Sequence, residues 1–260
     1  MKYLLLVFVI ASSMLSATVS QKQCDTKGEG YIFAGAECIQ FVEFEGDVEG
    51  SLNIVVHGAW KDGTNTLARY APFAETLNMN SDITTVAVAL PGYSKSSTNN
   101  FGGLLSKGHG EPSSVGKKDY VAFMADLVLK LKNKYNATTV NYIGHSAGAI
   151  LGATVTGYAP GIIQNIVCAG GGHDIHKSMK NTSSLISLVD VISTVDKKTN
   201  FLIVYGTKDK ISPPQRNINF HDFLIKNGFN SKLIKVDGAA HLDLDMTDTS
   251  VDAISEMLDY

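Results

Sequence analysis

The stretch TTVNYI-GHSAG-AILGATVTGY, residues 138–158, decides the fold of this chain. Its first six residues form an apolar and β-branched run typical of a buried strand, and its last part has the small residues of a closely packed helix. Between them, GHSAG (residues 144–148) is a Gly-x-Ser-x-Gly motif in a strand–turn–helix context. Such a turn strains the backbone of its serine, and the glycines let strand and helix approach without Cβ clashes. The motif therefore predicts that the Ser146 hydroxyl projects above a sheet, at the N-terminus of a helix.

Predicted strands and helices alternate on both sides of this motif. This alternation implies a mostly parallel sheet with helices on both faces. Since the chain shows neither a repeat nor a proline-rich linker, we expect one α/β domain over residues 21–260. Residues 91–117 are expected to form a long loop, and residues 173–199 a small cap insertion over the carboxyl edge of the sheet. The predicted strands are 31–44 (one or two edge strands), 52–56, 84–90, 138–143, 162–169, 201–205 and 232–236, and the predicted helices are 66–77, 120–135, 146–158, 216–227 and 251–258.

The composition is that of a globular protein with a large core. Of 260 residues, 44% are hydrophobic and 18% are charged, against ~25% charged for an average soluble chain. A disordered chain needs the opposite balance and is excluded. The formal net charge of −3 provides no basic stripe for nucleic acid.

The first twenty residues form a separate segment, MKYLLLVFVIASSMLSATVS. One lysine precedes a short apolar run, and small residues follow, which is the order of a secretory signal peptide. The apolar run is shorter than the ~20 residues of a membrane span; the alternative is an uncleaved anchor. We therefore expect a protein that is secreted or lies in the lumen of the secretory or vacuolar pathway, with no stable membrane span after removal of residues 1–20.

Secretion changes the interpretation of the cysteines. A disulfide between Cys24 and Cys38 is plausible in an oxidising compartment and would stabilise only a short loop. Cys168 lies in an apolar run and is expected to be a free core residue. Asn136 and Asn181 each begin an Asn-x-Ser/Thr sequon that could carry a glycan.

A serine hydroxyl is a poor nucleophile until a base takes its proton. In strand–turn–helix sites of this kind the partners follow in the order Ser, Asp, His. Asp209 follows the predicted strand 201–205, and His241 follows the predicted strand 232–236, so both lie where open α/β sheets place their sites. The alternatives are a turn aspartate and a surface-loop histidine, and Asp174, one strand earlier, is a second candidate for the acid.

Two backbone N–H groups are needed to bind the negative oxygen that develops during acyl transfer. One is that of Ala147, directly after the serine. The other comes from the loop HGAW (residues 57–60), where Ala59 is the first choice and Trp60 the second. His57 precedes the serine in the chain, so a role in shaping this loop suits it better than that of the base.

These motifs resemble the α/β-hydrolase superfamily. The HG loop, GHSAG, the segment GTKDKISPP and the turn GAAH occur in that family's order, from about residue 52 to the end of the chain. The resemblance implies Ser146 as nucleophile, Asp209 as acid, His241 as base, and two-step acyl transfer without a metal or organic cofactor. The chain departs from the family in its modest insertion in place of a large lid and in its lack of an extended HGGG stretch.

The substrate pocket is less clearly defined. Its walls are expected in residues 91–117 and 173–199, with Trp60, Tyr93 and His145 near the serine. With so little chain left outside the sheet and its crossovers, we expect an open cleft.

Competing interpretations remain. His173, Asp174 and His176 pack two imidazoles and a carboxylate closely enough for a metal site. The expected function is hydrolysis of a carboxylic ester, with a small-molecule ester or a short acyl or peptide substrate. The alternatives are a serine peptidase of the aminopeptidase or prolyl-oligopeptidase kind, a lipase or thioesterase, and a non-catalytic binding protein with the same fold.

Overall fold

The computed structural model describes residues 18–104, 114–177, 182–243 and 247–258. Within these residues one sheet is formed by β1 (Tyr31–Ala34), β2 (Glu37–Phe44), β3 (Val48–Val56), β4 (Ile83–Val88), β5 (Thr139–His145), β6 (Asn165–Ala169), β7 (Asn200–Gly206) and β8 (Asn230–Val236). Across the sheet the strands lie in the order β1-β2-β4-β3-β5-β6-β7-β8. β2 is antiparallel to both β1 and β4, and all other neighbouring strands are parallel.

Helices cover both faces of this sheet. The α-helices of the described residues are α1 (Gln21–Asp25), α2 (Leu67–Ser81), α3 (Lys118–Lys134), α4 (Ala147–Tyr158), α5 (Leu188–Val191), α6 (Pro214–Lys226) and α7 (Asp248–Leu258). The chain moves one way along the sheet from β3 to β4 and the other way from β4 to β5, so right-handed crossovers place α2 and α3 on opposite faces. α4 packs against α3, and α7 packs against α2. The predicted fold class, a mostly parallel sheet covered on both faces, is confirmed.

The strand order creates a crevice at the carboxyl ends of β3 and β5, which are neighbours. β3 leads into α2 on one face, whereas β5 leads into α4 on the other face. Open α/β sheets bind ligands where consecutive connections diverge in this way. The loop after β3 and the turn after β5 therefore meet at the position that favours a site.

Periodicity located most elements within a few residues. The predicted helix 66–77 carries five apolar residues at helical spacing, and all five are buried in α2: Leu67, Tyr70, Phe73, Ala74 and Leu77. β3 begins at Val48, before the apolar run 52–56, because its exposed start still pairs with β4 and β5. The short helix α1 was not predicted; it buries only Cys24 and is capped by the Ser20 hydroxyl.

A ladder of asparagines crosses the sheet near the amino ends of its parallel strands. In each neighbouring pair, one side-chain amide donates to the next side-chain oxygen at 2.7–2.8 Å. The rungs also face each other in the strand register, so the ladder and the backbone pairing specify the same alignment. Such a hydrogen-bonded network, buried from Asn53 to Asn165, favours one register over a slipped one. The members of the ladder are Asn53, Asn141, Asn165, Asn200 and Asn230.

Part of segment 173–199 forms the crossover from β6 to β7. α5 packs against α4, and the Thr194 hydroxyl donates to the Gly157 carbonyl at the C-terminal end of α4. From α5 onward the segment therefore runs down one face of the sheet and returns the chain to the start of β7, while Leu185 before it pairs with Lys117 at the start of α3. A parallel connection needs such a return, since β6 ends and β7 begins at opposite edges. Residues 178–181, and with them the Asn181 sequon, lie outside the described residues.

The N-terminal region is joined to the sheet by a disulfide between Cys24 in α1 and Cys38 in β2. Cys168 is a buried free thiol in β6, as expected. Asn136 lies exposed in a turn with positive φ. Residues 1–17 of the expected signal peptide lie outside the described residues, and none of the described helices is long and apolar enough to cross a membrane.

Candidate active site

Ser146 lies in the sharp turn between β5 and α4. Its backbone has φ 54° and ψ −115°, a strained conformation for a residue other than glycine. A Cβ on Gly144 would lie 2.7 Å from the Ala149 backbone, and a Cβ on Gly148 would lie 2.6 Å from the His57 carbonyl oxygen. Both glycines are therefore required by the close approach of the chain to itself, as the motif predicts.

The structure brings Ser146, His241 and Asp209 together in one hydrogen-bonded chain. The Ser146 Oγ lies 2.8 Å from His241 Nε2, and His241 Nδ1 lies 2.7 Å from Asp209 Oδ2. Asp209 follows β7, and His241 follows β8 after a turn, so each residue lies past the carboxyl end of its own strand. We call this arrangement the Ser146–His241–Asp209 chain.

The carboxylate of Asp209 is buried and held on both oxygens. Oδ1 accepts hydrogen bonds from the backbone N–H groups of Ile211 and Ser212, both at 2.8 Å, while Oδ2 faces His241. Burial raises the pKa of this carboxyl, but the hydrogen bonds from His241, Ser212 and Ile211 outweigh burial and leave the pKa below its usual value. Asp209 is therefore charged at neutral pH.

The charge of Asp209 determines which nitrogen of His241 carries a proton. A carboxylate only accepts, so Nδ1 donates to Asp209, and the neutral ring presents the lone pair of Nε2 to Ser146. The Ser146 hydroxyl then donates to Nε2, the geometry in which a base removes the proton of a nucleophile. The three groups can therefore carry out nucleophilic catalysis.

Residues 57–60, the oxyanion loop, lie directly against the serine. A Cβ on Gly58 would lie 2.9 Å from the Cβ of Ser146. The N–H of Gly58 donates to the Tyr70 hydroxyl at 3.4 Å, and that of Trp60 donates to the Tyr93 hydroxyl at 3.3 Å. Within the described residues the N–H groups of Ala59 and Ala147 make no hydrogen bond, so they are the two donors left for an oxyanion. This distribution favours Ala59 over Trp60.

Two of the three expected pocket residues are buried and form hydrogen bonds with other parts of the protein. Tyr93 is fully buried, and its hydroxyl donates to the Trp60 carbonyl at 2.8 Å. His145 is 4% exposed and contacts Tyr70 and the backbone of His241. The expectation that they line a pocket is corrected by this burial, whereas Trp60 is partly exposed beneath the guanidinium of Arg69.

His57 shapes the oxyanion loop, as expected. Its Nδ1 donates to the Gly58 carbonyl at 2.7 Å, and its Nε2 accepts from the Leu90 N–H at 3.0 Å. Burial lowers the pKa of this imidazole to about 4, against a smaller opposing effect of the Gly58 bond. The ring is therefore neutral at physiological pH and ties the loop to the end of β4.

The alternative acid and the metal hypothesis find no support in the geometry. Asp174 accepts from the His176 N–H and pairs with Lys177 at 3.4 Å, so it contacts its own turn. His176 pairs with Asp190, and His173 stacks on the rings of two phenylalanines of α6. The described residues contain no group of three side chains arranged to hold a metal ion.

An open groove of about 570 Å³ lies between the start of segment 173–199 and α6. It lies on the Asp209 side of the site, since Pro213 in its wall directly follows Ser212. Its lining includes His173, Asp174, Lys177, Pro213, Arg216 and Phe223.

Tyr70 and Arg69 contact the site but were not identified from the sequence. In the sequence pattern Tyr70 is indistinguishable from the other apolar residues of α2, but its hydroxyl lies 2.8 Å from His145 Nδ1. Arg69 donates to the carbonyl of Leu242, next to His241. Their helical spacing gave no signal, because the partners of both side chains are distant in the chain.

Comparison with known proteins identifies the family to which this fold belongs. Residues 54–199 match the family model of the α/β hydrolase fold. The esterase Pf2001 of Pyrococcus furiosus is 15% identical with a TM-score of 0.67, over 88% of this chain and 90% of that one. Esterase PE8 is 14% identical with a TM-score of 0.63, over 85% of this chain and 97% of that one. Est1E from Butyrivibrio proteoclasticus, with ferulic acid bound, is 17% identical with a TM-score of 0.61, over 88% and 96%.

No curated protein matches the sequence significantly. At these identities the similarity to solved structures shows the fold alone.

Proposed function

Because this chain belongs to the α/β-hydrolase fold family, we propose that it is a secreted serine hydrolase that cleaves carboxylic esters through an acyl-enzyme intermediate. The observation that supports this proposal is the Ser146–His241–Asp209 chain, with contacts of 2.8 Å and 2.7 Å. The named esterases among the similar structures agree with it.

In the first step, the Ser146 oxygen attacks the ester carbonyl carbon while His241 Nε2 takes the hydroxyl proton. The carbonyl oxygen becomes negative and is held by the N–H groups of Ala59 and Ala147, each such donor being worth roughly 10²–10³ in rate. Asp209 holds the ring in the required tautomer and stabilises its positive form. Collapse of this intermediate breaks the ester bond, and His241 returns the proton to the leaving alcohol.

In the second step, water attacks the acyl group on Ser146. His241 takes a proton from this water, and the same two N–H groups hold the oxyanion again. The collapse releases the carboxylic acid and returns the proton to Ser146. The reaction requires only groups of this chain and water.

The surface beside the Ser146–His241–Asp209 chain supports a substrate with an apolar part. Ile211, two residues after Asp209, is 66% exposed, and Leu242, directly after His241, is 44% exposed. Binding becomes more favourable when an apolar ligand covers large apolar side chains and removes them from water. We therefore infer that the acyl or alcohol group of the ester is apolar.

Secretion is supported by the signal-like residues 1–20 and by the Cys24–Cys38 disulfide, which is typical of oxidising compartments. Expression of the full chain in a eukaryotic host, followed by N-terminal sequencing of protein from the medium, tests this part. Retention of Met1 in a protein found inside the cell would contradict it.

The enzymatic part is tested by labelling with a fluorophosphonate, which reacts with activated serines. We expect labelling of wild-type protein at Ser146 and none of Ser146→Ala. p-Nitrophenyl esters of increasing chain length should be cleaved faster than aminoacyl naphthylamides. Faster cleavage of the amides would indicate a peptidase, and a folded wild-type protein that is neither labelled nor active would indicate a binding protein.

A further inference from the structure

We propose that Tyr70 and His145 are positioning residues, which hold the oxyanion loop and the backbone of His241 in a fixed relation to each other. This inference rests on the proposed function. Neither side chain reaches the reacting atoms; both act through groups that do. They form a hydrogen-bonded path from the Gly58 N–H to the Tyr70 hydroxyl, to the His145 ring, and to the carbonyl of His241.

The direction of each hydrogen bond follows from its acceptor. The carbonyl oxygen of His241 lies 2.8 Å from His145 Nε2 and only accepts, so Nε2 carries the proton. In the neutral ring, His145 Nδ1 is then an acceptor, and the Tyr70 hydroxyl donates to it at 2.8 Å. The oxygen of that hydroxyl accepts from the N–H of Gly58 at 3.4 Å. One tautomer of His145 therefore satisfies the whole path.

Both side chains are packed so that they have little freedom to rotate. Tyr70 is 1% exposed and His145 is 4% exposed. The cavity that they border with Phe73, Ile143 and Ile254 measures only about 10 Å³, close to the volume of one water probe. Because packing fixes the orientation of both rings, the groups to which they are hydrogen-bonded are held at fixed positions, as an active site requires.

The path joins three parts of the chain that are distant in sequence. Tyr70 comes from α2, His145 from the end of β5, and His241 from the loop after β8. The carboxylate of Asp209 orients the ring of His241, but His145 restrains the backbone that carries that ring. The oxyanion donors and the base must stay within a few tenths of an ångström of their working positions. The path supplies a restraint between them.

The two nitrogens of His145 can be tested separately. In His145→Gln the amide nitrogen reaches as far as Nε2 and retains a donor for the His241 carbonyl. In His145→Asn the amide reaches only as far as Nδ1, so an acceptor for Tyr70 is retained and the bond to His241 is lost. Tyr70→Phe removes the hydroxyl alone. Tyr120→Phe is the matched control, because Tyr120 is equally buried and its hydroxyl has no partner in the described part of the chain.

The measurements are kcat and KM on a p-nitrophenyl ester and the rate of fluorophosphonate labelling. We expect His145→Asn and Tyr70→Phe to lower kcat and the labelling rate about 10-fold or more, since displacements below 1 Å suffice for such losses. KM should stay within about 2-fold, because neither residue contacts the substrate. His145→Gln should lose less than His145→Asn, because it keeps the bond to the backbone of His241 and gives up only the contact with Tyr70, whereas Tyr70→Phe also removes the acceptor of the Gly58 N–H. Tyr120→Phe should match wild type.

A merely structural role would lower the unfolding midpoint without changing kcat of the folded enzyme, and that result would overturn the proposal. Equal losses in His145→Gln and His145→Asn would also contradict it. If Tyr70→Phe does not fold, the two His145 variants decide. Wild-type protein that is not labelled would refute the proposed function and this inference with it, whereas labelling of all variants at the wild-type rate would refute this inference alone.

Discussion

Replacement of Asp209 by asparagine should inactivate the protein by fixing the wrong tautomer of His241. Oδ1 of Asp209 faces two backbone N–H donors, those of Ile211 and Ser212, both at 2.8 Å. In Asp209→Asn this place must be taken by the amide oxygen, since an NH₂ group cannot face two donors. The NH₂ group then points at His241 Nδ1 and donates to it. The proton of the ring moves to Nε2, which no longer accepts from Ser146.

The size of the effect follows from this geometry. Loss of the correct tautomer in a serine–histidine–aspartate site costs about 10⁴ in kcat, and four factors of ten correspond to roughly 5.5 kcal/mol of activation free energy. KM should change little, because Asp209 is 3% exposed and lies behind the ring of His241. The variant should fold, since both backbone donors keep an acceptor.

The assay is the rate of fluorophosphonate labelling together with kcat on a p-nitrophenyl ester, with the unfolding midpoint as a check on folding. Asp174→Asn is the matched control, because Asp174 pairs with the exposed Lys177 and is not bonded to His241. The control should retain full activity. The reasoning is refuted if Asp209→Asn stays within 10-fold of wild type, or if Asp174→Asn is the variant that loses activity.

Three further predictions concern the nucleophile turn, the asparagine ladder and His57. Gly148→Ala would place a Cβ 2.6 Å from the carbonyl oxygens of His57 and Val56, so the labelling rate should fall about 10²-fold; an unchanged rate would contradict the close approach. Asn165→Ala interrupts the asparagine ladder on both sides and should lower the free energy of unfolding by about 2–4 kcal/mol. Asn230→Ala, at the exposed end of the ladder, should lower it by less than ~1 kcal/mol. Equal losses for the two variants in urea denaturation would contradict this prediction. Burial lowers the pKa of His57 to about 4, so the unfolded chain binds more protons than the folded one, and wild-type stability should fall from pH 6.5 towards pH 4. The urea midpoint should fall less over this range in His57→Gln. An equal fall of the midpoint in both proteins would refute the prediction.

The order and spacing of the site residues could be predicted because each follows a strand. The carboxyl ends of parallel strands meet at one edge, so residues that follow β5, β7 and β8 must come close together in space. Ser146, Asp209 and His241 were identified in this way without knowledge of any side-chain contact. The choice of Asp209 over Asp174 agrees with the geometry for the same reason, since Asp209 follows the strand next to β8.

The residues around the Ser146–His241–Asp209 chain were harder to predict. His145 directly precedes the serine, and Tyr93 lies in a loop that follows a predicted strand, so both were expected in the pocket. Whether an aromatic ring near a site faces a substrate or the core depends on what packs over it, and for both rings that is a distant part of the chain. The crossover within segment 173–199 was not predicted for a related reason, because length alone does not distinguish a cap from a crossover.

The selection of the oxyanion donor shows how such distant contacts determine the chemistry. Gly58 and Ala59 indicate that the loop 57–60 approaches Ser146 closely, but they do not show which of its N–H groups is the donor. The hydroxyls of Tyr70 and Tyr93 accept from Gly58 and Trp60, on either side of Ala59. A donor that already has a buried partner gains less from a developing oxyanion than one that has none. The two tyrosines therefore favour Ala59 over Gly58 and Trp60 as the oxyanion donor that we propose, although both tyrosines are buried.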